Sequence, residues 1–356
     1  MLFQMADTSL NEPLNTASLF MKTTDRDLLV FSGSIDSENT EDFINKLVSH
    51  EQRRSRVSLF LCTYGGDPHA AYRMARALHR CYPKDIRILI PSYCKSAGTM
   101  IALCADSLGI SDFGELGPLD TQLSRPDEIM QRASGLEIFS TLQHLTDHAF
   151  SCFEQNMLTL LRKSGQTIST RLASEIATRL AIGLVKPITA QIDPHRIGVA
   201  QRGLEVTKAY GNQLGNAKNL KFSADVVVNH LVRDYPTHAF VIDREEASTL
   251  FRNVTEFSAE EMSVFDLLKS ALIRPAENDA VIVNFAALVA EEASMKKRKH
   301  QERINARDKH SDRKTPPSGK GQSGEPKPQR RPNRRPPKKS DGAEQGTLLP
   351  AKTDAA

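Results

Sequence analysis

The chain is 356 residues long with a formal net charge of +4, a length that permits one large domain or two smaller ones around a sizeable core. The charge is uneven: residues 296–339 hold about 17 Lys/Arg against about 4 Asp/Glu, so that segment stands near +13 and the remainder near −9. The opening MLFQMADTSLNEPLN has no basic stretch followed by an apolar one, no run approaches bilayer-spanning length, and five cysteines without CxxC spacing argue against a disulfide framework, so the composition speaks against secreted and membrane classes and for a soluble, cytoplasmic protein.

In chain order, residues 1–24 read as an N-terminal extension, and residues 27–33 (DLLVFSG) predict a first strand. Residues 40–50 carry Phe43, Ile44, Leu47 and Val48 at helical spacing. Residues 57–62 predict a second strand, hydrophobic enough to be buried on both faces. A helix over 70–81 follows, with Ala71, Met74, Ala75 and Leu78 on one side. A third strand over 86–90, a small-residue helix over 97–105 and a short strand over 108–111 complete an alternation that predicts an α/β fold with mostly parallel pairing. From about residue 136 the pattern is helical: a long helix over 136–163 stopped by Gly165, then helices over 170–182, 194–210, 223–234 and 259–273. Residues 280–286 (AVIVNFA) fit a short strand and the start of a helix equally. Residues 291–356, rich in Lys, Arg, Pro, Gly, Ser and Gln, cannot bury enough apolar surface to offset their ordering entropy and predict a disordered basic tail. No internal repeat is evident.

Two strand-to-helix junctions carry the chemistry. The run 57–62 ends in Thr63-Tyr64-Gly65-Gly66-Asp67-Pro68, and the run 86–90 leads to Tyr93-Cys94-Lys95-Ser96-Ala97-Gly98. Acyl transfer needs a nucleophile on a tight turn and backbone N–H groups aimed at a developing oxyanion, and these turns supply both. Asp67 and Pro68 suit a helix start, as a capping carboxylate and a first-turn proline. Ser96 alone reads as a helix cap, and Gly65 and Gly66 alone as turn glycines needing positive φ; the glycine pair upstream tips Ser96 towards a nucleophile.

The stretches TYGGDPHAAYRMARAL, PSYCKSAGT and SDFGELGPLD, with Gln191-Ile192-Asp193-Pro194 and Ala209-Tyr210-Gly211, resemble the serine dehydrogenase proteinase family over about residues 25–250. These are serine peptidases of the ClpP/crotonase superfold, related to the signal peptide peptidase A type. The resemblance implies a superhelix of strand-strand-helix turns in a peptidase domain over 25–290, an oligomeric ring or related assembly, and hydrolysis of peptide or protein substrates without metal or organic cofactor. It also implies that Ser96 is the nucleophile, that the Ala97 N–H is one oxyanion donor, and that the N–H of Gly65 or of Gly66 is the other.

The general base departs from the family pattern. ClpP places a histidine roughly two dozen residues after the serine, where this chain has Glu115 and Asp120 and no histidine. The signal-peptide-peptidase pattern places a lysine some fifty residues on; near that distance stand His148, with His144 one turn earlier, and Lys163 further along. Ser96, His148 and Asp193 follow the ClpP chain order. Lys95 ranks lower, because neighbours on a tight turn point apart. Each has a plainer reading: His144 and His148 as a polar helix face, Lys163 as a cation at a helix C-terminus, Asp193 as a helix-start carboxylate, Glu115 and Asp120 as cleft-shaping or turn-holding groups. The His144/His148 pair has no third ligand, so no metal site is expected.

Two rival functions stay open. A crotonase-type acyl-CoA enzyme would use the same two amides on a thioester enolate, and the serine turn counts against it. A non-catalytic scaffold is favoured by the histidine missing from the ClpP position. The basic tail reads either as a solubilising or docking tail or as an electrostatic arm for nucleic acid or another polyanion.

Overall fold

The computed structural model describes residues 11–120, 122–124, 132–165 and 167–311. Its first half runs α1 (Asn11–Thr24), β1 (Asp27–Ser32), α2 (Ser37–Val48), β2 (Arg56–Cys62), α3 (Pro68–Cys81), β3 (Asp85–Ile90), β4 (Tyr93–Cys94), α4 (Ala97–Ala102), β5 (Ser107–Ile110), β6 (Glu115–Leu116), β7 (Gln122–Ser124) and β8 (Arg132–Ser134). The second half is mostly helical: α5 (Gly135–Lys163), α6 (Thr170–Thr189), α7 (Pro194–Leu214), α8 (Ala224–Arg233), α9 (Arg244–Leu250), β9 (Val254–Thr255), α10 (Ala259–Leu272), β10 (Val281–Asn284) and α11 (Phe285–Ser311). By contact the chain divides into residues 1–300 and residues 301–356, the described part of the latter being the end of α11.

The main sheet has the order β10-β1-β2-β3-β5-β9, parallel throughout except that β10 runs antiparallel to β1. Its register sorts the apolar runs into two faces. Leu29, Leu59, Ile88 and Leu108 form one row across β1, β2, β3 and β5, and Val30, Phe60 and Leu89 form the next. The first row packs with Phe43 of α2, Met74 of α3, Met100 of α4 and Val228 of α8. The second packs with Phe20 of α1, Val264 and Leu268 of α10, and Phe285 of α11. The central strands are buried on both faces, as their unbroken apolar character requires. The fold is thus the expected mixed α/β architecture with a helical second half.

Three elements differ from expectation. Residues 11–24, read as an extension, form α1, whose Ala17, Phe20 and Met21 are buried at helical spacing beside α10. Residues 280–286 resolve as both alternatives, β10 passing directly into α11. Residues 291–311, expected to begin the disordered tail, continue α11, since Ala, Glu, Lys, Arg and Gln are strong helix formers even where they bury nothing. Residues 312–356 of that tail lie outside the described residues.

Candidate active site

The sheet carries the two turns to the same end and its edge hydrogen bonds join them. Beyond β2, Thr63 N donates to Tyr93 O (2.7 Å) and Lys95 N donates to Thr63 O (3.0 Å), a parallel bridge between the glycine turn and β4. Ser96 then sits at φ +50°, ψ −110°, half-buried, between β4 and α4. A non-glycine residue persists in that sparsely populated region only where its surroundings over-determine it. Here Lys95 is pinned by Thr63, Gly98 N returns to Lys95 O (2.8 Å), and Met100 N takes Ser96 O (3.1 Å).

The glycine turn passes directly over the serine. Gly65 lies at φ +106°, and a Cβ built there would stand 2.9 Å from Ser96 Cβ, 3.0 Å from Lys95 O and 3.3 Å from Ala97 N. No side chain fits, so residues 65, 96 and 97 meet only because residue 65 is glycine. Gly66, at φ +150°, is pressed against Ile35, whose carbonyl oxygen would be 2.0 Å from a Cβ there.

An accounting of N–H groups separates the three candidate donors. Gly65 N donates to the Thr63 hydroxyl at 2.9 Å. The bridge to Ile35 uses Gly65 O and Asp67 N, leaving the Gly66 N–H unspent among the described residues. Ala97 N lies in the first turn of α4, where helix geometry provides no acceptor, and it too has no partner among the described residues. α3 starts as its sequence dictates, with Asp67 accepting from His69 N (3.1 Å) and Pro68 in the first turn.

Several side chains hold this frame. The Lys95 ammonium pairs with Glu115 at 2.9 Å and donates to Leu116 O (3.2 Å) and Phe240 O (3.1 Å), which commits it to β6 rather than to Ser96. Glu115 is thereby a turn-holding group. The buried Thr99 hydroxyl lies 2.7 Å from Gly117 O and accepts from Gly117 N (3.2 Å), clamping the Gly-Pro loop. Asp120 is buried. Cys94 is fully buried and burial pushes its thiol well up, so it is an inert core residue.

The candidate bases lie on α5. His148 is exposed, with Nε2 3.5 Å from Cys152 Sγ one turn along, and Lys163 is exposed at the last residue of the helix. His144 is exposed as well. Among the described residues none of them is bonded to Ser96 or to either turn. Asp193 caps α7, accepting from His195 N at 2.9 Å. No group of three or more His, Cys, Asp or Glu among the described residues is placed to hold a metal ion.

Sequence reasoning missed a cluster joining the first turns of α3 to α7. His69 Nδ1 lies 2.9 Å from Tyr210 OH, the Tyr72 and Tyr210 rings stack at 4.2 Å, and Tyr72 OH donates to Gln213 at 2.5 Å. The helical spacing of His69 and Tyr72 was visible; nothing in the sequence ties either to a residue 141 positions away.

Fold and site together define an α/β protein with a serine on a strained strand-to-helix turn beneath a glycine loop. Residues 32–182, which contain both turns, match the ClpP-like SDH-type serine proteinase family. The resemblance read from the motifs is borne out over that stretch, and the match supports serine peptidase chemistry in general. The uncharacterized protein MJ0137 of Methanocaldococcus jannaschii is 33% identical over 91 residues, which cover 26% of this chain and 31% of that protein, so the chain spans about a third of this relative. Solved structures similar to this chain include a variant of the 1510-N membrane-bound stomatin-specific protease (18% identity, TM-score 0.26, 42% of this chain and 68% of that one). A ClpP1 variant from Listeria monocytogenes is comparable (18%, TM-score 0.22, 44% and 82%). Among the described residues no helix is long and apolar enough to cross a membrane.

Proposed function

We propose that this chain is a cytoplasmic serine endopeptidase with Ser96 as nucleophile. Ser96 Oγ bonds to the scissile carbonyl carbon as its proton passes to a base, and the resulting oxyanion accepts from the N–H groups of Gly66 and Ala97. The amine then leaves with that proton, and water releases the acyl group. Gly65 serves by close approach, since its own N–H is held by Thr63. The observation that carries this reading is the contact of Gly65 with Ser96 and Ala97, at 2.9 and 3.3 Å from a would-be Cβ. His148 and Lys163 are the proposed proton acceptors, and no metal or organic cofactor takes part.

The chain works as a homo-oligomer in this reading. Leu172, Leu180, Leu184 and Ile188 are exposed along α6 at four- or eight-residue intervals, and Phe150 and Leu158 are exposed on α5, an apolar surface suited to a second copy. The basic C-terminal segment is an arm for a polyanion.

A fluorophosphonate probe with peptide mapping tests the assignment. Wild-type protein should be labelled at Ser96 and should hydrolyse an unstructured protein, and Ser96→Ala should abolish both while keeping the fold. His148→Ala or Lys163→Ala, whichever removes the base, should lower kcat by about 10²–10⁴. The second reading, a non-catalytic scaffold, draws on the lack of any titratable side chain bonded to Ser96 among the described residues; it predicts neither labelling nor turnover.

A further inference from the structure

We infer that the basic half of α11 is a docking element for duplex nucleic acid, seated in a groove between phosphate rows. This deepens, and rests on, the reading of the C-terminal segment as a polyanion arm. Over residues 285–305 of α11 the buried ones are Phe285 and Ala286, and every side chain over residues 293–305 is exposed. This length of helix has no packing face. It is held by its own propensity and by local pairs, Lys296 with Glu292 (2.6 Å) and Gln301 with Asn305 (3.1 Å).

Its charge pattern asks for an external anion. Lys296, Lys297, Arg298 and Lys299 are consecutive, and at about 100° per residue they encircle the helix instead of forming one stripe. Lys299 and Arg303 stand four residues apart, a like-charge spacing that destabilises an isolated helix until something neutralises it. Residues 296–311 span about 24 Å, a length of duplex that carries about 14 phosphate charges. A helix of about 10–12 Å diameter enters a major groove of about 12 Å width, where phosphates flank it on both sides.

Other anions fit less well. A membrane-surface helix needs an apolar face, and over residues 293–305 the large apolar side chains are Met295 and Ile304 alone. Single strands are gripped by aromatic stacking, and residues 291–356 contain no Phe, Tyr or Trp. The chain outside residues 296–339, near −9, repels phosphate and confines contact to the basic C-terminal segment that this helix begins.

Fluorescence anisotropy with the full chain tests this, using a labelled 20-base-pair DNA duplex, a single strand of equal length, heparin and phosphatidylserine vesicles between 50 and 200 mM salt. The duplex should bind best among the nucleic acids and weaken steeply with salt. Replacing Lys296, Lys297, Arg298 and Lys299 together by Gln should lower the slope of log affinity against log salt by about 3 to 4. Ile304→Pro, which breaks the helix while keeping every charge, should weaken duplex binding several-fold and leave heparin binding unchanged. Equal loss for both ligands, or no loss for the duplex, overturns the helical docking while sparing the polyanion reading. Absence of binding to heparin and duplex alike overturns both. Preference for the vesicles or the single strand overturns the assignment to duplex.

Discussion

Replacing Gly65 by alanine tests the geometry at the centre of the site. The substitution forces a side chain into φ +106°, which costs about 1–3 kcal/mol for a non-glycine residue. The new methyl also meets Ser96 Cβ at 2.9 Å and Lys95 O at 3.0 Å, neither of them a flexible side-chain end, so overpacking adds about 1–3 kcal/mol. The sum, about 2–6 kcal/mol, corresponds to a fall in Tm of roughly 3–10 °C for a unit of about 300 residues. Relief requires the glycine loop and the serine turn to move apart, which would carry the Gly66 and Ala97 amides off the oxyanion position proposed for them; loss of an oxyanion donor costs about 10²–10³ in kcat. Thermal unfolding by circular dichroism and probe labelling well below Tm read the two effects separately. Gly183→Ala is the matched control: it lies within α6 with nothing within 4 Å of its would-be Cβ, so alanine there should raise stability by about 0.5–1 kcal/mol. A Gly65→Ala protein with wild-type Tm and wild-type labelling would refute the contact between the two turns.

Three further outcomes follow from the same frame. Ser96→Gly should raise stability by about 1 kcal/mol in a denaturant melt while eliminating labelling, because glycine relaxes the φ +50° strain; a destabilised variant would mean that no strain is stored there. Lys95→Met should destabilise by about 3–5 kcal/mol, since it strands the Glu115 carboxylate and leaves Leu116 O and Phe240 O without their donor, and adding Glu115→Gln should recover part of the loss; a cost under about 1 kcal/mol would show the pair to be solvated. Cys62, Cys94 and Cys104 should resist iodoacetamide in the native protein at pH 8, because burial raises all three thiols, that of Cys104 up to about 12, while the half-buried Cys81 and Cys152 react; peptide mass mapping that finds native-state modification of Cys94 would contradict its inert environment.

The approach of the two turns was legible because it depends on topology more than on side chains. Apolar runs at 57–62 and 86–90 read as buried parallel strands, and parallel strands joined by right-handed crossovers deliver their following turns to one end of the sheet. A paired glycine on one turn and a serine on the next then face each other with little further information. Which of the Gly65 and Gly66 N–H groups is already bonded was not legible, since that rests on the Thr63 hydroxyl and on a bridge to Ile35, thirty-one residues upstream of Gly66. Lys95 could be set aside as a base on turn geometry alone, but its partners include Phe240 O, 145 positions along, which no local pattern announces. The same limit explains α1: the spacing of Ala17, Phe20 and Met21 was in plain view, but it gains meaning only from α10, more than two hundred residues later. For residues 291–311 the difference is physical, because the argument for disorder counted core burial and left out helix propensity, which needs no core. A site assembled from backbone amides is therefore easier to find in a sequence than the side chain that must serve it: strand order places the amides, whereas a base is placed by helix phase and by whatever surface covers that helix.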